Sequence, residues 1–282
     1  MPPKDRTSLL CPGCRKLISA DEPFCPYCGL SKPGGQRHFF LRFSGSALDI
    51  TRIIIYLNIG FYILSLIVSS SGLILSPHPF TFLAPSEKGL FILGATGTIP
   101  INLFGRWWTL VSASFLHGGL MHILFNMLAL AQLGPFISQE FGFNRFVIIY
   151  LLTGVAGFFL SFLARIPITI GASASICGLI GAILYYGKTR GGFYGEAIYR
   201  QAMGWVVGLV IFGLLVPGIN NWAHGGGLLS GIMLAWLLGY QEQRRETGVH
   251  RMLALLCLIL TAFLLSWSLI QAGAFILKRL FN

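Results

Sequence analysis

Charge is the scarcest property of this chain. Of its 282 residues, 10% are Asp, Glu, Lys or Arg and 55% are hydrophobic, whereas a soluble domain carries about 25% charged residues. Acidic groups thin out further along the chain. The last aspartate is Asp49, so no aspartate pair can act within the apolar stretches that follow. There is no His-Glu-x-x-His, which excludes zinc-dependent hydrolysis of that type. No glutamate stands deep in an apolar stretch, which argues against a complete Ser-His-acid triad inside one. The first 50 residues also lack the apolar core of a cleavable signal peptide.

Long apolar runs are abundant. Stretches near the ~20 residues needed to cross a bilayer fall at 52–76, 117–137, 145–164, 173–187, 201–218, 223–240 and 250–277. The sequence therefore predicts an all-α polytopic membrane protein with seven spans. Threaded with the N-terminus inside, five of the 20 Lys and Arg residues (Lys88, Arg106, Arg165, Lys278 and Arg279) fall outside and the rest inside. Positive charge concentrates on the cytoplasmic side, so the N-terminus is expected in the cytoplasm and the C-terminus outside. The net charge of +11 is then explained by topology and attraction to anionic lipid; no nucleic-acid partner is expected.

Four of the six cysteines form Cys11-Pro12-Gly13-Cys14 and Cys25-Pro26-Tyr27-Cys28. Two such pairs can offer four thiolates tetrahedrally to zinc. The other reading, two disulfides, conflicts with a reducing cytoplasm. Residues 1–36 are thus expected to be a small cytoplasmic zinc ribbon, with Zn2+ serving structure and no metal serving catalysis; the spacing names no partner for it. Residues 37–51 follow as linker and interfacial segment, with His38–Phe43 as an interfacial anchor or the lead-in to the first span. Cys177 and Cys257 lie inside spans and are expected to pack.

Two polar residues sit where spans begin: Ser173 in Gly171-Ala172-Ser173-Ala174, and His224 in Trp222-Ala223-His224-Gly225. Intramembrane polar groups are costly unless they pair or face water, and a hydroxyl with an imidazole suggests a nucleophilic dyad. His122 and Asn126 are four apart and share a helix face. They suit either an oxyanion site or interhelical hydrogen bonding. Gly178 and Gly181 on one span, with Gly227 and Gly231 on another, would let two backbones approach closely and bring Ser173 to His224.

His117-x4-His122-x3-Asn126, Gly171-x-Ser173 and Ala223-His224-x-x-Gly227 resemble the signatures of rhomboid intramembrane serine proteases, in order, across about residues 52–240. The resemblance implies a six-helix core over 52–240 around a cavity open to the outer side, with a seventh helix as an addition within 241–282. It implies Ser173 as nucleophile and His224 as general base and then acid. His122, Asn126 and the Ser173 N–H would form the oxyanion hole. The loop 76–116 would be partly embedded, and span five, with Trp205 and Phe212, would gate the passage of substrate from lipid. Single-span membrane proteins would be the substrates, cut near the outer face of a plasma (inner) membrane. Three positions depart from the pattern. Thr109 follows Trp108 where the family has Arg, Ala174 replaces a Gly, and Cys177 replaces an aromatic that stacks on the histidine. A catalytically weak or inactive rhomboid-like binder of membrane clients is the alternative; a transporter would show charged groups or an inverted repeat, and neither is seen.

Overall fold

Seven long helices carry the fold of the computed structural model, which describes residues 8–11, 16–19, 21–27, 29–31, 47–69, 74–75 and 82–280. They are α1 (Ala47–Val68), α4 (Leu120–Phe141), α5 (Phe143–Leu163), α6 (Ser173–Arg190), α7 (Gly192–Leu215), α8 (Asn221–Leu238) and α9 (Gly248–Leu280). Between α1 and α4 lie a short hairpin, β3 (Ile74–Leu75) with β4 (Phe82–Ala84), then α2 (Glu87–Leu93), a π-helical turn at Ile99–Leu103, and α3 (Thr109–Ser112). The chain divides into two compact units, residues 1–50 and 51–282.

In the first unit, β1 (Ser8–Leu10) pairs antiparallel with β2 (Leu17–Ser19), Leu9 opposite Ile18. Cys11, Ile18 and Cys25 are buried together against Leu30. Cys14 and Cys28, half of the expected zinc ligands, lie outside the described residues, as does the expected anchor 38–43. Among the described residues there is no group of three or more His, Cys, Asp or Glu side chains able to hold a metal.

In the second unit, five helices are long and apolar enough to cross a membrane: α1 from Ile50, α4, α5, α7 and α9 to Lys278. The sequence led us to expect seven. α6 and α8, each 18 residues, fall short because Lys188 and Arg190 end α6 beside serines, glycines and tyrosines, and Asn221, His224 and three glycines open α8. α6 occupies the middle of the bundle, surrounded by neighbouring helices, whereas α8 packs on the bundle through Ala223, Gly226, Gly227, Gly231 and Ala235 and leaves Leu229, Met233 and Trp236 exposed. Glycine makes that packing possible. A Cβ on Gly231 would strike the Gly178 carbonyl oxygen, and one on Gly181 the Leu228 carbonyl oxygen. On the other flank of α6, a Cβ on Gly178 would strike the Thr153 side chain of α5.

The end of the bundle opposite Ser173 is tied by a buried arginine. Arg145 is fully buried and donates to the carbonyls of Phe141, Arg244 and Arg245 at 3.1, 2.8 and 3.3 Å. Glu246 accepts from the Arg145 N–H at 3.0 Å and from Asn144 Nδ2 at 2.7 Å. The link between α8 and α9 is thereby fixed on the α4–α5 turn. Removing one member of such a buried charged network costs about 3–5 kcal/mol.

Candidate active site

Ser173 is the first residue of α6, so its N–H has no partner within the helix. The approach to it is closely controlled. Thr96 and Thr169 exchange backbone hydrogen bonds at 3.1 and 2.7 Å, and the Gly171 N–H donates to the Ala113 carbonyl at 2.9 Å. Gly171 has φ +122, which disfavours a side chain. A Cβ there would also fall 2.7 Å from His122 Nε2 and 3.6 Å from Ser173 Oγ. Glycine at 171 therefore brings the His122 ring close to the serine.

His224 lies in the first turn of α8, and its Nε2 is 2.8 Å from Ser173 Oγ. The two residues are 51 apart in sequence and meet because Gly227 lets α8 lie on the backbone of Ala174, whose carbonyl oxygen a Cβ would strike. His224 Nδ1 is buried and has no hydrogen-bond partner among the described residues. Among the described residues no carboxylate hydrogen-bonds to His224. An imidazole at this distance can take a hydroxyl proton as the oxygen attacks a carbonyl.

The tautomer of His122 follows from its neighbours. The Gly118 N–H donates to Nδ1 at 3.2 Å, so the neutral ring carries its proton on Nε2, the nitrogen at Gly171. That is the donor an oxyanion requires. Asn126 is placed differently: its Nδ2 donates to the His122 carbonyl at 2.7 Å, and among the described residues it has no hydrogen bond to Ser173. The ring of His117 meets His122 edge-on at 5.1 Å.

Each departure from the family pattern has a structural consequence. Ala174 is buried, and its methyl lies 2.9 Å from where a Cβ on Gly157 would stand. A glycine on α5 thus accommodates it, away from the reacting atoms. Cys177 is buried and, with His224, Val206, Val210, Leu214 and Leu228, lines a cavity of about 260 Å³ between α6, α7 and α8. Space occupies the place of the expected aromatic. At Thr109 the hydroxyl donates to the Arg106 carbonyl at 2.6 Å. Arg106 stacks over Trp108, 4.6 Å from its ring centre, and donates to the carbonyls of Phe91 and Ile92 at 2.7 and 3.1 Å. Its burial lowers its pKa below the usual arginine value.

Sequence reasoning missed Asn220. Its Oδ1 accepts the Ala223 N–H at 3.1 Å and caps α8, while Nδ2 reaches Ser161 Oγ at 2.6 Å and Thr169 Oγ1 at 2.9 Å. One side chain thereby joins the histidine's helix, α5 and the segment entering the serine's helix. An asparagine just ahead of a helical run is a capping signal, and it was there to be read.

With this geometry in place, comparison with known proteins is informative. Residues 104–241 match the rhomboid domain. Ser173, His224, His122, Asn126, Trp108 and Arg106 all fall inside that match. The chain is 35% identical over 184 residues to RHOMBOID-like protein 4 of Arabidopsis thaliana, covering 60% of this chain and 45% of the relative. It is also 35% identical over 135 residues to Rhomboid protease GluP of Bacillus subtilis (strain 168), covering 48% and 27%. RHOMBOID-like protein 9, chloroplastic, of Arabidopsis thaliana is 30% identical over 208 residues, covering 68% and 47%. The chain thus spans about half or less of these relatives. The rhomboid domain and these relatives support the rhomboid family and, with the apolar helices, an integral membrane protein.

Proposed function

We propose that this chain is an intramembrane serine endopeptidase that cleaves the transmembrane helices of single-span proteins. The observation that carries this reading is the 2.8 Å approach of His224 Nε2 to Ser173 Oγ inside a rhomboid domain. Ser173 Oγ attacks the substrate carbonyl carbon while its proton passes to His224 Nε2. Negative charge forms on the carbonyl oxygen, where the His122 Nε2–H and the Ser173 N–H donate to it; Asn126 holds the His122 backbone and has a second amide hydrogen to offer. As the tetrahedral species collapses, His224 gives the proton to the leaving amine and an acyl-serine remains. Water then adds, its proton taken by the same nitrogen and returned to Ser173 Oγ. Losing one oxyanion donor from such a site costs on the order of 10²–10³ in rate.

In this reading the protein lies in a plasma (inner) membrane with its N-terminus in the cytoplasm and the dyad toward the outer side. The support is the distribution of Lys and Arg and the common end at which α6 and α8 begin. Zn2+ is inferred in the N-terminal unit, held by Cys11, Cys14, Cys25 and Cys28. Its support is that Cys11 and Cys25 are buried side by side in a cluster too small to fold by apolar burial alone.

The cavity at Cys177 favours one competing reading, a rhomboid-like protein that binds or delivers membrane clients, because among the described residues no ring stacks on His224. Labelling with a fluorescent fluorophosphonate separates the two. Wild-type protein is expected to label, and Ser173→Ala and His224→Ala to fall to background. Folded wild type that does not label would move the assignment to client binding.

A further inference from the structure

α9 falls outside the rhomboid match, yet it contributes a buried hydrogen bond to the loop beside the site. Ser268 is fully buried, and its Oγ donates to the Leu93 carbonyl at 2.6 Å. Leu265 and Ala272, one turn to either side, pack in one cluster with Phe61 and Val68 of α1, Leu90 and Leu93 of α2, and Phe115 and Leu116.

The acceptor is what gives this bond its meaning. α2 ends at Leu93 in a left-handed Gly94 cap, and a helix end leaves carbonyls without intrahelical partners. Here four consecutive carbonyls receive side-chain donors from elsewhere. Arg106 serves Phe91 and Ile92, Ser268 serves Leu93 at 2.6 Å, and Ser112 serves Gly94 at 2.9 Å. The residues just beyond are those that hold the approach to Ser173. Thr96 pairs with Thr169, and Ala113, next to Ser112, accepts the Gly171 N–H. Hydrogen bonds joined by single backbone steps therefore lead from α9 to Gly171, with Thr169 held close by, just ahead of Ala172 and Ser173.

We propose that Ser268 is a positioning residue for the Ser173 site: α9 fixes the end of α2 through it, and the end of α2 fixes residues 166–171. The inference rests on reading Ser173 as the nucleophile, but its structural half is testable without activity. Amide hydrogen exchange is measured on the full-length protein in lipid nanodiscs as wild type, Ser268→Ala and Ser268→Thr. In Ser268→Ala the Thr169 and Gly171 amides should exchange about tenfold faster, in line with one lost buried hydrogen bond. Residues 142–146, at the other end of the bundle, should be unchanged, and Ser268→Thr, which keeps the hydroxyl, should restore protection. Unchanged exchange at 169 and 171, no rescue by threonine, or equal acceleration at both ends would each overturn the proposal. Fluorophosphonate labelling of the same samples answers the separate question. Wild type that fails to label removes the nucleophile and with it the positioning role; labelling of Ser268→Ala at the wild-type rate removes the positioning role alone.

Discussion

α6 and α7 are consecutive helices built on opposite terms. α6 buries thirteen of its 18 residues, Ala174 to Gly187 with few gaps. α7 is longer, at 24 residues, and buries only Gly195 and Ala202. By apolarity α7 qualifies as a membrane-spanning helix and α6 does not. The helix that presents the serine is thus the more polar and the more enclosed. α7 instead forms one wall of the cavity at His224 and, with Trp205 and Gln201, one wall of a second cavity of about 130 Å³. Elements with little buried surface open at the lowest free-energy cost, which suits α7 to the gating role expected of it. In the proposed mechanism, the enclosed helix would carry the nucleophile and its loosely packed neighbour would admit the substrate.

The sharpest test of that contrast puts one substitution in both regions. A Cβ on Gly227 would strike the Ala174 backbone, whereas Gly208 of α7 has open space around it. Gly227→Val is expected to lower stability by about 3 kcal/mol and abolish labelling. Gly208→Val should stay within about 0.5 kcal/mol. Unfolding in a denaturing detergent series measures both, and equal losses would break the comparison.

A smaller effect is expected where Asn220 joins α5, α8 and the segment entering α6. Asn220→Ala removes the cap of α8 and leaves Ser161 and Thr169 without their donor. A cap is worth about 1–2 kcal/mol, so labelling should slow roughly tenfold, with a matching fall in the unfolding midpoint. An unaffected rate would mean that α8 holds His224 without it.

The smallest change is expected where the two regions meet. Cys177→Tyr puts a ring into the cavity of about 260 Å³ beside His224. An aromatic contact of about 0.5–1.5 kcal/mol should raise the labelling rate roughly threefold by steadying the imidazole. A lower rate would show that α7 needs that space.

Much of this was legible in the chain. Ser173, His224 and the glycines that let them meet stood out because polar and small residues are conspicuous against hydrocarbon. The structure places Ser173 and His224 in contact, with His122 beside them. Asn126 was legible as a residue type, but its tie to the His122 carbonyl was not. Arg106 lay hidden because the resemblance pointed to position 109. The first helix ends at Val68, short of the expected 76, where Ser69-Ser70-Ser71-Gly72 interrupts the apolar run before Leu73–Leu75.

What the sequence determined by itself is the membrane setting, the apolar helices and the residues with chemistry to offer. These follow from composition and spacing, which act residue by residue. Only the tertiary structure decided that His122 Nε2 lies at Gly171, that Ala174 rests on Gly157, that the enclosed α6 need not be apolar, and that α9 reaches Leu93. Each of these is a relation between residues tens to hundreds of positions apart. Close packing sets such distances, and packing depends on all the helices at once.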